Sequence, residues 1–297
     1  MTHKFRYSKN NSTNVRLSIK RSITFVSVSL LSFIAPSVIR RFILKQFFIP
    51  IRYIPTENEQ EYLVKAEQFE QVVIDEKIKC WKWGKGPSIL FAHGWNGSGI
   101  QFSSFITDVV NSGFSLVAFD GPGHGQSEGN RSSYFQMTNS VRALMKSDKL
   151  ARVAGTIGHS FGAGAIVNAL SKENLPVPSV LIAPALRIKE VLDDTFTQYG
   201  IPLQLYYNII AEYERKYGYS LADDNPTNLL PKLNNPVLII HDTEDRVIPV
   251  SDSIQAESMY DYIELHQTKG LGHKRILADQ NVIESAIQFI RENSKRS

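Results

Sequence analysis

The sequence predicts an α/β fold: a mostly parallel sheet with helices on both faces and a small helical cap. Three observations carry this expectation. From about residue 58 onward, short apolar runs of strand length alternate with segments of helical spacing, and strands separated by helices pair in parallel with both faces covered. One apolar run leads into Gly158-His159-Ser160-Phe161-Gly162, a G-x-S-x-G pentapeptide followed by small residues that can start a helix. Roughly fifty residues separate the apolar runs at 179–183 and 237–240, too many for a simple connection.

Taken in order, residues 59–69 read as a short helix and residues 71–84 as a two-stranded ribbon turning near Asp75-Glu76-Lys77. Residues 88–92 form a buried-strand run that ends in His93-Gly94-Trp95-Asn96-Gly97-Ser98-Gly99. A helix around 101–111 precedes a second buried strand at 114–119, which opens into Asp120-Gly121-Pro122-Gly123-His124-Gly125-Gln126-Ser127. A helix at 133–147 and a strand at 152–157 then reach the pentapeptide. The remaining strands fall at 179–183, 237–240 and 261–267, and residues 280–292 have the spacing of a closing amphipathic helix. The long insert, about 186–230, is helical and rich in aromatics such as Phe196, Tyr199, Tyr206 and Tyr213. It should cap the serine and enclose a pocket suited to an apolar or acyl group.

Charge divides the chain unevenly. Residues 1–53 hold ten Lys or Arg, from Lys4 to Arg52, and no acid; the remainder has 23 basic and 29 acidic residues, a net of −6. The formal charge of +4 therefore belongs to the leader, and a nucleic-acid partner for the body lacks electrostatic support. We divide the chain into a basic, apolar leader over residues 1–55 and a catalytic body over 56–297 with the cap insertion. Within the leader, residues 22–39 carry no charge, which is just long enough for a short bilayer span. Six hydroxyl residues and Pro36 dilute that stretch, and no A-x-A site follows it for signal cleavage. The favoured expectation is a helix continuing to a stop at Pro50 that lies on the protein or on a membrane surface through residues 1–53. The expected location is cytoplasmic, with association at the inner membrane surface; a membrane anchor is the alternative.

The chemistry-bearing residues follow the strands. Ser160 sits where a strand turns sharply into a helix, and glycines two positions either side are needed because the two backbones approach closely. The free N–H groups of the helix start can stabilise negative charge, so the Phe161 N–H is a natural oxyanion donor. A serine needs an imidazole to take its proton, and the imidazole needs a carboxylate to orient it. After the strand at 237–240 come Asp242, Glu244 and Asp245; after the last strand comes Gly270-Leu271-Gly272-His273. The single cysteine, Cys80, excludes an internal disulfide and a cysteine-based metal site, and strand alternation places it on an apolar face. His93, His124 and His159 read as organisers of their loops, and their spacing suggests no metal site.

The sequence resembles the α/β-hydrolase superfamily over about residues 70–295, and within it a group of bacterial serine α/β hydrolases. The residues that carry the resemblance are His93-Gly94-Trp95, Phe119-Asp120-Gly121-Pro122-Gly123-His124-Gly125, the Ser160 pentapeptide, His241-Asp242 with Asp245, and Gly270 to Leu277. The resemblance implies Ser160 as nucleophile, His273 as base, Asp245 as the triad acid, and the main-chain N–H groups of Trp95 and Phe161 as the oxyanion hole. Similar sequences often have glycine at the position of Asp242, so a second carboxylate stands near the expected acid. Asp245 is preferred because the acid usually precedes the segment occupied here by Arg246-Val247-Ile248-Pro249.

These residues predict a serine hydrolase, in the first instance a carboxylic-ester hydrolase acting through an acyl-enzyme on a small or acyl-chain substrate, with no cofactor. Thioesterase, small peptidase, acyltransferase and carbon–carbon hydrolase chemistry would use the same residues, and a non-catalytic ligand-binding protein is the alternative from another class.

Overall fold

Alternation inside the central strands decides the layers. The computed structural model describes residues 11–294, with side chains from residue 21; the basic residues Lys4, Arg6 and Lys9 lie outside the described residues. Its strands are β1 (Glu67–Val73), β2 (Glu76–Trp83), β3 (Ser88–Ala92), β4 (Ser115–Phe119), β5 (Val153–His159), β6 (Ser179–Ile182), β7 (Val237–Asp242) and β8 (Ile263–Thr268). They form one eight-stranded sheet in the order β1-β2-β4-β3-β5-β6-β7-β8. The β1–β2 and β2–β4 pairs are antiparallel, and every later pair is parallel.

Successive side chains on a strand point to opposite faces. Leu90, Val117, Leu181 and Ile239 enter one core, while Ile89, Phe91, Leu116, Val180 and Leu238 enter the other. Both faces are therefore buried, which is why these strands read as continuous apolar runs. The second core is covered by α3 (Glu57–Lys65), α4 (Ser103–Asn111) and the closing helix Gln280–Asn293. The first is covered by α5 (Tyr134–Met145), α6 (Phe161–Glu173) and the insert helices α7 (Ile188–Gln198), α8 (Leu203–Tyr217) and α9 (Pro226–Leu229). Helix starts follow local chemistry. Thr56 and Glu59 make a capping box on α3, and Ser133 accepts from the Gln136 N–H at α5, each cap contributing about 1 kcal/mol.

Two sequence expectations need correction. The helix expected at 59–69 stops at Lys65, and Phe69 belongs to β1, where it pairs with Cys80. Ladder pairing with β2 overrides a weak helical pattern there. The single leader helix expected to run to Pro50 is two helices, α1 (Asn11–Ile34) and α2 (Pro36–Phe47). Pro36 has no N–H to continue α1 and instead takes the first turn of α2, where that N–H would be unpaired anyway. Among the described residues no helix is long and apolar enough to cross a membrane.

The leader packs on the insert. Ile39, Ile43 and Leu44 are buried against it, Phe47 meets the Phe196 ring at 4.3 Å, and Phe48 meets Tyr213 at 5.1 Å. Arg52 then donates to the carbonyls of His124, Gly125, Ser127 and Gly129, fastening the leader's end to the loop after β4.

Candidate active site

Backbone geometry at the β5–α6 junction presents the serine. Ser160 has φ 53° and ψ −116°, a left-handed conformation that costs a side-chain-bearing residue on the order of 1–3 kcal/mol. Surrounding bonds hold it there: its N–H donates to Ile182 O, and its carbonyl accepts from Ala163 and Ala185. The flanking glycines are steric requirements. A β-carbon on Gly158 would lie 2.6 Å from Ala163 Cα, and one on Gly162 would collide with the Ala92 and His93 carbonyls.

Three loops from different strand ends converge on this turn. His273 Nε2 lies 3.0 Å from Ser160 Oγ, and His273 Nδ1 lies 2.7 Å from Asp245 Oδ2. The Asp245 side chain has no exposed surface, and its other oxygen accepts from the Val247 and Ile248 N–H groups. Burial pushes its carboxyl pKa up, but hydrogen bonds from His241, His273 and Val247 outweigh it and hold the group well below the usual carboxylate range. It stays charged where it faces His273.

Of the other carboxylates on this loop, Asp242 is occupied otherwise. Its oxygens accept from Thr268 Oγ1 at 2.8 Å, Leu271 N at 2.9 Å and Glu244 N at 2.9 Å. Asp242 thus joins the β7 and β8 loops, while Asp245 meets the imidazole.

Other histidines organise the site. His159 Nε2 donates to the His273 carbonyl at 2.8 Å; burial, then the nearby His273, pushes its pKa down to about 3, so it stays neutral. His93 Nε2 accepts from the Gly121 N–H. Asp120 accepts from Ser98 Oγ, Gly99 N and Gln126 N, so the loops after β3 and β4 brace each other. Burial lowers the pKa of both His93 and His124. Cys80 is fully buried, and burial raises its thiol pKa far above normal, which leaves it inert. Among the described residues no three His, Cys, Asp or Glu side chains are placed to hold a metal ion.

A cavity of about 260 Å³ opens on Ser160, and Trp95 and Phe161 line it. Their rings meet edge to face at 5.5 Å. Neither main-chain N–H has a hydrogen-bond partner among the described residues. The insert contributes Val191, Leu192, Phe196, Tyr206 and Ile210 to the wall. Tyr199 is instead largely exposed, and Tyr213 packs on the leader.

Sequence reasoning gave no role to five residues that contribute here. Gln46, Phe47 and Phe48 of the leader form part of the cavity wall. Asn96 takes a left-handed φ of 57° and accepts from the Ile51 N–H. His241 accepts from Ser253 and donates to the Ile248 carbonyl, with Asp245 Oδ2 3.4 Å from the donating nitrogen. The Asn-Gly pair signals the Asn96 turn, but nothing local in the sequence marks Phe47 or Phe48 as pocket residues.

The chain has the α/β-hydrolase fold. A model of the serine aminopeptidase S33 family matches residues 86–211. Among curated proteins, the chain is 26% identical over 229 residues to a bifunctional esterase/perhydrolase of Acinetobacter calcoaceticus, covering 59% of this chain and 80% of that protein. It is 22% identical over 222 residues to a non-heme chloroperoxidase of Streptomyces lividans, with the same 59% and 80% coverage. Among solved structures, an esterase of Pyrococcus furiosus superposes with a TM-score of 0.64 at 18% identity, covering 83% of this chain and 99% of that one. Est1E from Butyrivibrio proteoclasticus, solved with ferulic acid bound, gives 0.59 at 16% identity, covering 76% and 98%. At these identities the structural matches establish the fold, and the curated relatives it resembles carry esterase, perhydrolase and chloroperoxidase names.

Proposed function

We propose that this protein is a serine carboxylic-ester hydrolase that acts through an acyl-enzyme. The observation that carries the reading is the relay of Asp245, His273 and Ser160, with bonds of 2.7 and 3.0 Å, at the mouth of a cavity walled by apolar side chains. In this reading Ser160 Oγ attacks the ester carbonyl as His273 Nε2 takes its proton, and Asp245 stabilises the resulting imidazolium. The Trp95 and Phe161 N–H groups stabilise the tetrahedral oxyanion, an effect worth about 3–4 kcal/mol per donor in such sites. Collapse expels the alcohol, which takes the proton from His273. A water molecule, deprotonated by the same imidazole, then attacks the acyl-enzyme and releases the acid.

The matching family's description raises aminopeptidase activity as a second reading. An aminopeptidase must bind the substrate's ammonium group, and among the described residues no acidic side chain lines this cavity. The lining favours an uncharged acyl group. The test is hydrolysis of p-nitrophenyl esters from acetate to palmitate beside aminoacyl p-nitroanilides, for wild type and Ser160→Ala. Ester turnover that depends on Ser160 and peaks at one chain length supports the reading. Turnover of the anilides alone overturns it.

A further inference from the structure

The leader presents an apolar stripe to the outside. Ile23, Val26, Leu30, Phe33 and Ile34 recur along α1 at spacings that place them on one side, roughly 100° wide. All five are exposed, Phe33 by 87% and Ile34 by 80%. The opposite side of the helix carries Val28, which is buried in the core beneath. An amphipathic helix ordinarily turns such a stripe inward; here the stripe faces solvent. On α2 the exposed Val38 and Phe42 share a side with the exposed Arg41 and Lys45.

We propose that this face docks on an anionic lipid surface, with α1 and α2 lying in its plane. Exposed apolar residues beside basic ones are the composition of interfacial helices. Charge selects the partner. In sequence, residues 1–53 hold ten basic residues and no acid, whereas the rest of the chain has a net charge of −6. Among the described leader cations Arg40 pairs with Glu212 and Arg52 binds carbonyls of the body, while Arg41 and Lys45 stand exposed beside Val38 and Phe42 to meet an anionic surface. A second copy docked stripe to stripe would bring two basic leaders together, which opposes self-association through this face. The same α2 ends at Phe47, in the cavity wall beside Ser160. Docking therefore sets the cavity next to the lipid, and the substrate class becomes an acyl ester that resides in the lipid surface. That last step rests on the esterase reading.

The test compares the full chain with a Leu30→Ser, Phe33→Ser, Ile34→Ser variant in flotation with phosphatidylcholine vesicles, with and without phosphatidylglycerol. The wild type should float with the anionic vesicles only, and the variant should lose partitioning by about tenfold or more. Hydrolysis of soluble p-nitrophenyl acetate should be equal in the two, while hydrolysis of a long-chain ester dissolved in anionic vesicles should fall in the variant. Stripe-dependent flotation without any ester turnover would uphold docking and remove the esterase reading. Equal flotation of both chains, or no flotation of the wild type, overturns the proposal. So does a wild-type dimer in light scattering that the variant dissolves.

Discussion

The main-chain N–H of Ile51 donates to Asn96 Oδ1 at 2.8 Å, so the leader holds the residue that follows Trp95. Asn96→Gly keeps the left-handed turn, which glycine adopts freely, and removes only the acceptor. We expect kcat on a soluble ester to fall by about tenfold, equivalent to roughly 1.4 kcal/mol of lost transition-state stabilisation. A kcat within about twofold of wild type, read by steady-state kinetics, would separate the leader from the Trp95 loop.

Asp245 and Asp242 should part company when each is changed to asparagine. Asp245→Asn removes the charge facing His273 Nδ1 and favours the wrong tautomer, so kcat should fall by on the order of 10³ to 10⁴. Asp242→Asn weakens the bonds to Thr268 and Leu271. It should lower Tm measurably and kcat by less than about tenfold. The reverse ranking of the two kcat values would exchange their roles.

Strain at Ser160 predicts a stability difference between two variants of that residue. Ser160→Ala keeps a β-carbon at φ 53°, whereas Ser160→Gly removes it. Calorimetry should show the glycine variant more stable than the alanine variant by about 1 kcal/mol, since relief of strain exceeds glycine's entropic penalty. Equal melting temperatures would mean that the strain is no larger than glycine's entropic penalty.

Buried histidines set an acid limit. His159 is held near pKa 3 in the fold against 6.5 unfolded, and His93 and His124 shift in the same direction. Between these values the unfolded chain binds more protons than the folded one, so stability rises with pH and falls on acidification. Each proton contributes up to about 1.4 kcal/mol per pH unit. Tm should therefore decline as pH drops below about 6.5, before most carboxylates titrate. Asp242 and Asp245 have depressed folded values, so their contribution is full above the unfolded carboxyl value of 3.8 and is lost as pH falls below it. A flat Tm from pH 7 down to pH 4 would mean that these histidines are not buried neutral.

Much of this arrangement was legible in the residues because its causes are local or periodic. Strands β3 to β7 announce themselves as apolar runs since both faces of a parallel sheet are buried. The Ser160 turn is marked by glycines that its crossing backbones require. Phe69 was misread because a strand near the sheet edge, exposed on one face, shows little apolar signal and owes its state to pairing with Cys80. Pro36 marks a helix break in any reading that gives its missing N–H full weight.

By itself the sequence determined the α/β order, the elbow, and the set of residues able to relay a proton, because strand periodicity, glycine sterics and side-chain chemistry are properties of short segments. The preference for Asp245 was already legible in the Arg246-Val247-Ile248-Pro249 segment that follows it, but the partners that Asp245 and Asp242 meet were decided by the tertiary structure, since the two lie three positions apart on one loop and only the approach of the β8 loop distinguishes them. The recruitment of Phe47 and Phe48 into the cavity wall likewise required the tertiary structure. More than a hundred residues separate them from Ser160, and contacts across such distances arise from packing, which no local pattern encodes.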